Sequence, residues 1–171
     1  MEAKILMKHI LLTKFAVKFA ADNPRTRFEA NDSWIDERMN LFQKYCLPSV
    51  KAQTFKDFDW WIIASPNFRN FDKVQNELEK YGKILWTDAP WRDGLSEVGP
   101  LLETYYKDVG WICTTRLDSD DIISNDFMLN IHEGATEKEA WLSFYLGYYL
   151  YGESVSLARV NPNQFISYVE N

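Results

Sequence analysis

The sequence predicts an α/β fold built on a mostly parallel sheet flanked by helices, closed by a short C-terminal β-hairpin. Two observations carry this. Strand-like and helix-like segments alternate through the first two thirds of the chain, and that alternation favours parallel strands joined by helical crossovers. The run Gly110-Trp111-Ile112-Cys113-Thr114-Thr115 is apolar and β-branched, with no charge before Arg116, as expected of a strand covered on both faces. That strand runs directly into Asp118, Asp120 and Asp121.

The elements follow in order. Lys8 to Val17 reads as the first strand, with Thr13 to Phe15 near its carboxyl end, where a nucleotide base would be contacted. An ordinary strand end is the plainer alternative. A helix capped by Asp32 or Ser33 runs through Tyr45, with Trp34, Ile35, Met39, Leu41 and Phe42 recurring at helical spacing. Pro48 ends or kinks it, and Leu47 to Gln53 continues as a short helix. Trp60 to Ala64 is the second strand. Asp72 to Tyr81 is a helix stopped by Gly82, and Lys83 to Thr87 a third strand. The loop Asp88 to Gly94 follows at another strand end. Asp88 suits a base or ribose and Arg92 a diphosphate, although a solvated loop explains both more simply. A helix over Gly99 to Lys107 feeds the central strand. Asn125 to His132 reads as helical, with His132 on the surface near its end. Trp141 to Leu150 alternates imperfectly and is very aromatic; the aromatic patch Phe144 to Tyr151 could stack on an acceptor sugar, but core packing explains it more simply. Tyr151-Gly152-Glu153-Ser154 is a hairpin turn into Val155 to Val160. Asn161-Pro162-Asn163 precedes a last segment, Phe165 to Val169.

At 171 residues, the chain suits one domain spanning 1–171. Hydrophobic residues make up 46% and charged residues 26%, the balance of a globular protein. The net charge of −6 argues against nucleic acid as a partner, because phosphate backbones need a basic face. Cys46 and Cys113 form no metal motif and read as buried small hydrophobes. No run is apolar enough to span a membrane or serve as a signal peptide, so a cytoplasmic location is expected.

The acid cluster carries the chemistry. Three carboxylates within four residues repel one another, and each is costly unless a cation or donor compensates it. A turn or helix cap explains one or two of them but not all three. Mg²⁺ or Mn²⁺ prefers such oxygen ligands, and open α/β sheets bind ligands beyond the carboxyl ends of their strands. Asp118 and Asp120, with Asp121 beside them, are therefore the candidate metal ligands against a diphosphate. Ile122 and Ile123 exclude an EF-hand calcium loop.

These residues carry a resemblance. Arg38 with Leu41-Phe42, Leu47-Pro48-Ser49-Val50, Gln53-Thr54 and Phe58-Asp59-Trp60 resemble the opening of the putative rhamnosyltransferase family. Thr114 to Asp121 is similar to its most distinctive block, and Asn163 to Glu170 to its closing one. The resemblance implies a GT-A glycosyltransferase fold, a nucleotide-sugar donor and a divalent metal. It makes Asp118-Ser119-Asp120 the Asp-x-Asp motif, with Asp120 the more direct metal ligand and Asp118 facing ribose or metal. GT-A enzymes usually continue with acceptor-binding segments, a base and a further metal ligand. This chain ends just after Glu170, as a compact or C-terminally truncated version would.

The expected reaction is transfer of a sugar from a nucleoside diphosphate to a hydroxyl of a glycan or other acceptor. Arg116 or Arg92 adds a charge-assisted contact to the diphosphate, unless Arg116 braces the acids as an ion pair. Glu170 and Glu153 are the downstream candidates for the base, against the plainer reading of exposed surface acids. A GT-A-like module that binds nucleotide or glycan without turnover is the main rival. A nucleotidyltransferase ranks last, because Thr13-Lys14-Phe15-Ala16 lacks the Gly-rich loop expected after its first strand.

Overall fold

The computed structural model describes residues 7–17, 32–66, 71–87, 91–159 and 165–171. Strand β1 is Met7–Lys14, followed by helix α1, Asp32–Leu41, a π-helical turn at Phe42–Cys46, and α2, Leu47–Lys51. Then come β2 (Phe58–Ala64), α3 (Phe71–Leu78), β3 (Lys83–Trp86), α4 (Trp91–Tyr105) and β4 (Trp111–Asp118). The remainder is α5 (Phe127–Gly134), β5 (Ala140–Ser143), β6 (Leu146–Tyr151), β7 (Ser154–Arg159) and β8 (Ile166–Glu170).

Six strands form one sheet in the order β3-β2-β1-β4-β8-β5. The first four are parallel, and β8 runs antiparallel to both β4 and β5. Strand β1 lies inside the sheet, which explains its uninterrupted apolar run: Leu11 points into one core with Phe42, Ile62 and Leu117, and Ile10 into another with Ile63, Val98 and Leu102. Helices therefore cover both faces, as the alternating pattern required. Cys46 and Cys113 are fully buried thiols.

The short helix expected from Leu47 is present as α2, reached through the π turn without a helix end at Pro48. The π turn accommodates the proline: the Leu47 N–H donates to the Phe42 carbonyl five residues back, and the widened turn leaves room for a ring that has no N–H to donate. Helix α4 begins at Trp91 rather than Gly99 and carries Pro100 inside it. Burial of Val98 and Leu102 against the sheet offsets a proline cost of about 3 kcal/mol. Residues 146–159 form a separate two-stranded sheet. Its turn places Gly152 at φ +59, a conformation that carries little penalty only without a Cβ. The aromatic segment expected in the core is instead exposed: Tyr145, Tyr148, Tyr149 and Tyr151 all face solvent.

Candidate active site at the ends of β1 and β4

Strand order reverses direction at β1: the chain moves outward to β2 and β3, then returns to place β4 on the other side of β1. The carboxyl ends of β1 and β4 thus flank a switch point, the usual ligand position in open α/β sheets. Register sets Lys14 beside Asp118. The two side chains share a face, with Lys14 Nζ 3.5 Å from Asp118 Oδ1. Arg116, two residues back on that face, donates from Nη2 to both Asp118 carboxylate oxygens at 3.2 Å. Beyond the strand end, Asp120 reaches the other helical layer, where Arg38 of α1 donates from Nη1 to its Oδ2 at 2.6 Å. The Arg38 guanidinium also lies 5.4 Å from the Trp34 ring centroid, within cation–π range.

The compensation that three clustered acids demand is therefore partly supplied by the chain itself: Lys14, Arg38 and Arg116 face Asp118 and Asp120. Asp121 is half-buried. Burial, with Asp120 and Asp118 nearby, pushes its carboxyl up to about 7 despite Arg116 and Lys14. The loop bearing these acids is fixed from the residues that follow α2. The buried Gln53 side chain donates to the Ser124 carbonyl at 2.7 Å and accepts from the Met128 N–H at 2.9 Å, while the Thr54 N–H donates to the Asn125 carbonyl.

Lys14, Phe15, Trp34, Arg38, Asp118 and Asp120 border a cleft of about 130 Å³, room for a phosphate group rather than a whole nucleotide. A larger hollow of about 680 Å³ lies against Lys51, Lys56, Trp60, Lys80 and Lys83. It sits by the amino ends of β2 and β3, at the opposite end of the sheet from the acids, so the smaller cleft is where the candidate chemistry converges.

The other sequence candidates scatter. Thr13 is fully buried and its hydroxyl accepts the Trp60 indole N–H at 2.8 Å, so it serves the core rather than a ligand. Phe15 is 2% exposed and packs edge-on against Phe42, although it also borders the cleft. Asp88 lies outside the described residues, as does the Arg92 side chain; the Arg92 backbone falls in the first turn of α4. Glu170 pairs with Ile112 at the start of β4. Six residues of strand separate that position from Asp118, about 20 Å at 3.3 Å per residue, so Glu170 cannot act as base at the acid cluster. Burial, Glu139 and Glu103 raise its carboxyl above the ordinary range. Glu153 is exposed in the hairpin turn. His132 is no free surface residue: it is half-buried, its Nδ1 lies 2.9 Å from His9 Nε2, and its ring stacks on Phe55 at 4.5 Å. Lys14, Arg38 and Trp34 had no assigned role. The carboxyl-end position of Lys14 and the place of Arg38 in the opening block were the available signals.

The chemistry of the donor set suits a hard cation. Asp118 and Asp120 offer carboxylate oxygens, and Mg²⁺-type ions commonly take one or two carboxylates plus substrate phosphates and water. Among the described residues, no group of three His, Cys, Asp or Glu side chains stands ready to cage a metal. No helix among them is long and apolar enough to cross a membrane.

The profile of a family described as putative rhamnosyl transferase matches residues 9–163, a span that includes β1, Arg38 and the whole acid cluster. The chain belongs to the putative rhamnosyl transferase family. No curated protein matches its sequence. Among solved structures, S. aureus TarS 1-349 is 11% identical, and the overlap covers 74% of this chain and 32% of that one at a TM-score of 0.40. This rhamnosyl transferase family member thus spans about a third of TarS 1-349.

Proposed function

We propose that the protein transfers a sugar from a nucleoside-diphosphate donor to an acceptor hydroxyl, with the donor diphosphate seated at the ends of β1 and β4. The observation that carries this is the convergence of Asp118 and Asp120 with Lys14, Arg38 and Arg116 at the switch point of the sheet. Three cations against three carboxylates leave the cluster close to neutral, and a bound divalent metal would add the positive charge that suits a diphosphate.

Asp118 and Asp120 of the Asp-x-Asp sequence would hold Mg²⁺ or Mn²⁺ together with the donor phosphates. When bound, the metal supplies Lewis-acid neutralisation of charge on the leaving diphosphate. Arg38 and Lys14 orient the phosphates by charge-assisted hydrogen bonds as they exchange carboxylate partners for phosphate oxygens. Arg116 holds Asp118 in place through its two contacts. Trp34 forms an aromatic wall beside Arg38 on which a base or sugar can stack.

A nucleotide-binding module without turnover is the second reading. It is favoured by the placement of Glu170 far from the cleft and of Glu153 on the hairpin turn. A thermal-shift screen of nucleoside diphosphates with and without Mn²⁺ tests the donor site, because a ligand of the folded state raises stability by mass action. The expected result is a metal-dependent shift for one nucleotide that Asp120→Asn loses. No shift for any nucleotide on folded wild type would remove the donor site from this cleft.

A further inference from the structure

The β6–β7 hairpin presents a face that the proposed donor site does not use. In its antiparallel register, Tyr148 lies opposite Leu157, Leu150 opposite Val155, and Leu146 opposite Arg159. Directly paired residues share a face and alternate residues do too, so Leu146, Tyr148, Leu150, Val155 and Leu157 form one continuous surface. Each is more than half exposed: 56%, 74%, 52%, 64% and 57% in that order. The opposite face is different in kind. It carries Gly147, Tyr149 and Tyr151 against Ala158, Ser156 and Ser154, and Ala158 is buried.

We infer that this apolar face is a self-association surface that packs against the same face of a second copy of the chain. Three properties select that occupant. The face has no carboxylate and a single cation, Arg159, so two copies can meet without the repulsion that the −6 net charge imposes on much of the remaining surface. Four of its five large residues are aliphatic and only Tyr148 is aromatic, which suits protein packing better than sugar stacking. Its area is also sufficient. At roughly 150–200 Å² per large apolar side chain, the exposed fractions leave on the order of 500 Å² in water per copy, and a pair buries about 1,000 Å², the threshold for a specific interface.

The geometry is that of two small sheets stacked face to face about 10 Å apart and related by a twofold axis. It also answers a stability problem, because a two-stranded sheet with a solvated apolar face is marginal alone. Strand β5 runs parallel to β4, and its end at Ser143 pairs with Ile166 at the start of β8. The hairpin therefore springs from the same end of the sheet as the acid cluster, two strand spacings or about 10 Å to the side.

Sedimentation velocity across micromolar concentrations tests this. Wild type should sediment as a dimer that dissociates on dilution, Leu150→Lys with Leu157→Lys as a monomer, and Tyr151→Ser, on the opposite face, like wild type. All three positions are exposed, so circular dichroism should show each variant folded. A wild type that stays monomeric throughout overturns the inference, as does a dimer that survives the double lysine variant. A monomer whose tyrosine fluorescence responds to soluble oligosaccharides overturns it in favour of a carbohydrate surface.

Discussion

Lowering the pH from 7 to 4 should destabilise the fold through His9, and His9→Phe should remove that dependence. His9 is completely buried on β1. Its Nε2 faces His132 Nδ1, its ring meets Phe55 edge-on at 5.3 Å, and its Nδ1 has no hydrogen-bond partner. Burial above all, then His132 and, least, Lys8, lower its pKa from 6.5 to about 4, against an opposite pull from Asp57. The folded pKa is thus depressed below the unfolded one. Between these values the unfolded chain binds a proton that the folded chain refuses, so stability rises with pH by about 1.4 kcal/mol per unit. The contribution is complete above pH 6.5 and is lost as the pH falls toward 4, about 3 kcal/mol in all. For a chain of this size that corresponds to roughly 6–12 °C in melting temperature. Asp121 acts in the opposite sense: its carboxyl is raised to about 7, which favours the folded state as pH falls. Wild type alone can therefore look flat between pH 4 and 6.5. The informative quantity is the difference between wild-type and His9→Phe unfolding free energies, measured by urea melts in chelator at half-unit steps. Phe fills a similar volume, and half-exposed His132 can still reach water. A difference that does not change between pH 4.5 and 7 would refute the reasoning.

Other consequences are simpler to read. Arg38→Ala should weaken nucleoside-diphosphate binding about 10- to 100-fold, the worth of one charge-assisted hydrogen bond, and calorimetric titration measures this. The same change should cost under about 1 kcal/mol of stability, because the Arg38–Asp120 pair is 31% and 39% exposed. Gln53→Leu should destabilise by about 2–3 kcal/mol in denaturant melts, since the Met128 N–H is left without its buried acceptor. Gly82→Ala should cost about 1–3 kcal/mol, because a Cβ there would lie 2.6 Å from the Trp60 carbonyl oxygen. Glu170→Gln should leave donor turnover unchanged, whereas a large loss would show that the far end of β4 takes part in the reaction.

The local pattern was most informative where a strand ended in charge. An apolar run that stops in three acids is readable because it violates the expectations of both a core and a turn, and β4 ends at Asp118 as read. The cations facing those acids were less legible. Arg38 lies 82 residues from Asp120, and Lys14 meets Asp118 only through the β1–β4 register, which no local periodicity specifies. The same gap misplaced Glu170: a last segment over Phe165 to Val169 was legible, but not that it is an antiparallel strand that carries Glu170 to the start of β4. Aromatic alternation in residues 146–151 marks a strand without saying whether anything covers it, so a segment expected in the core lies in solvent. His132 shows the converse, a polar residue in the last turn of a helix that meets a buried partner 123 residues away.

Release of nucleoside diphosphate from a panel of nucleotide-sugars, with Mn²⁺ or with chelator, tests the donor cleft most directly. Wild type should cleave at least one donor with metal and lose that activity in chelator and in Asp118→Asn and Asp120→Asn. Cleavage that persists undiminished in both variants would place the reaction elsewhere than at the ends of β1 and β4.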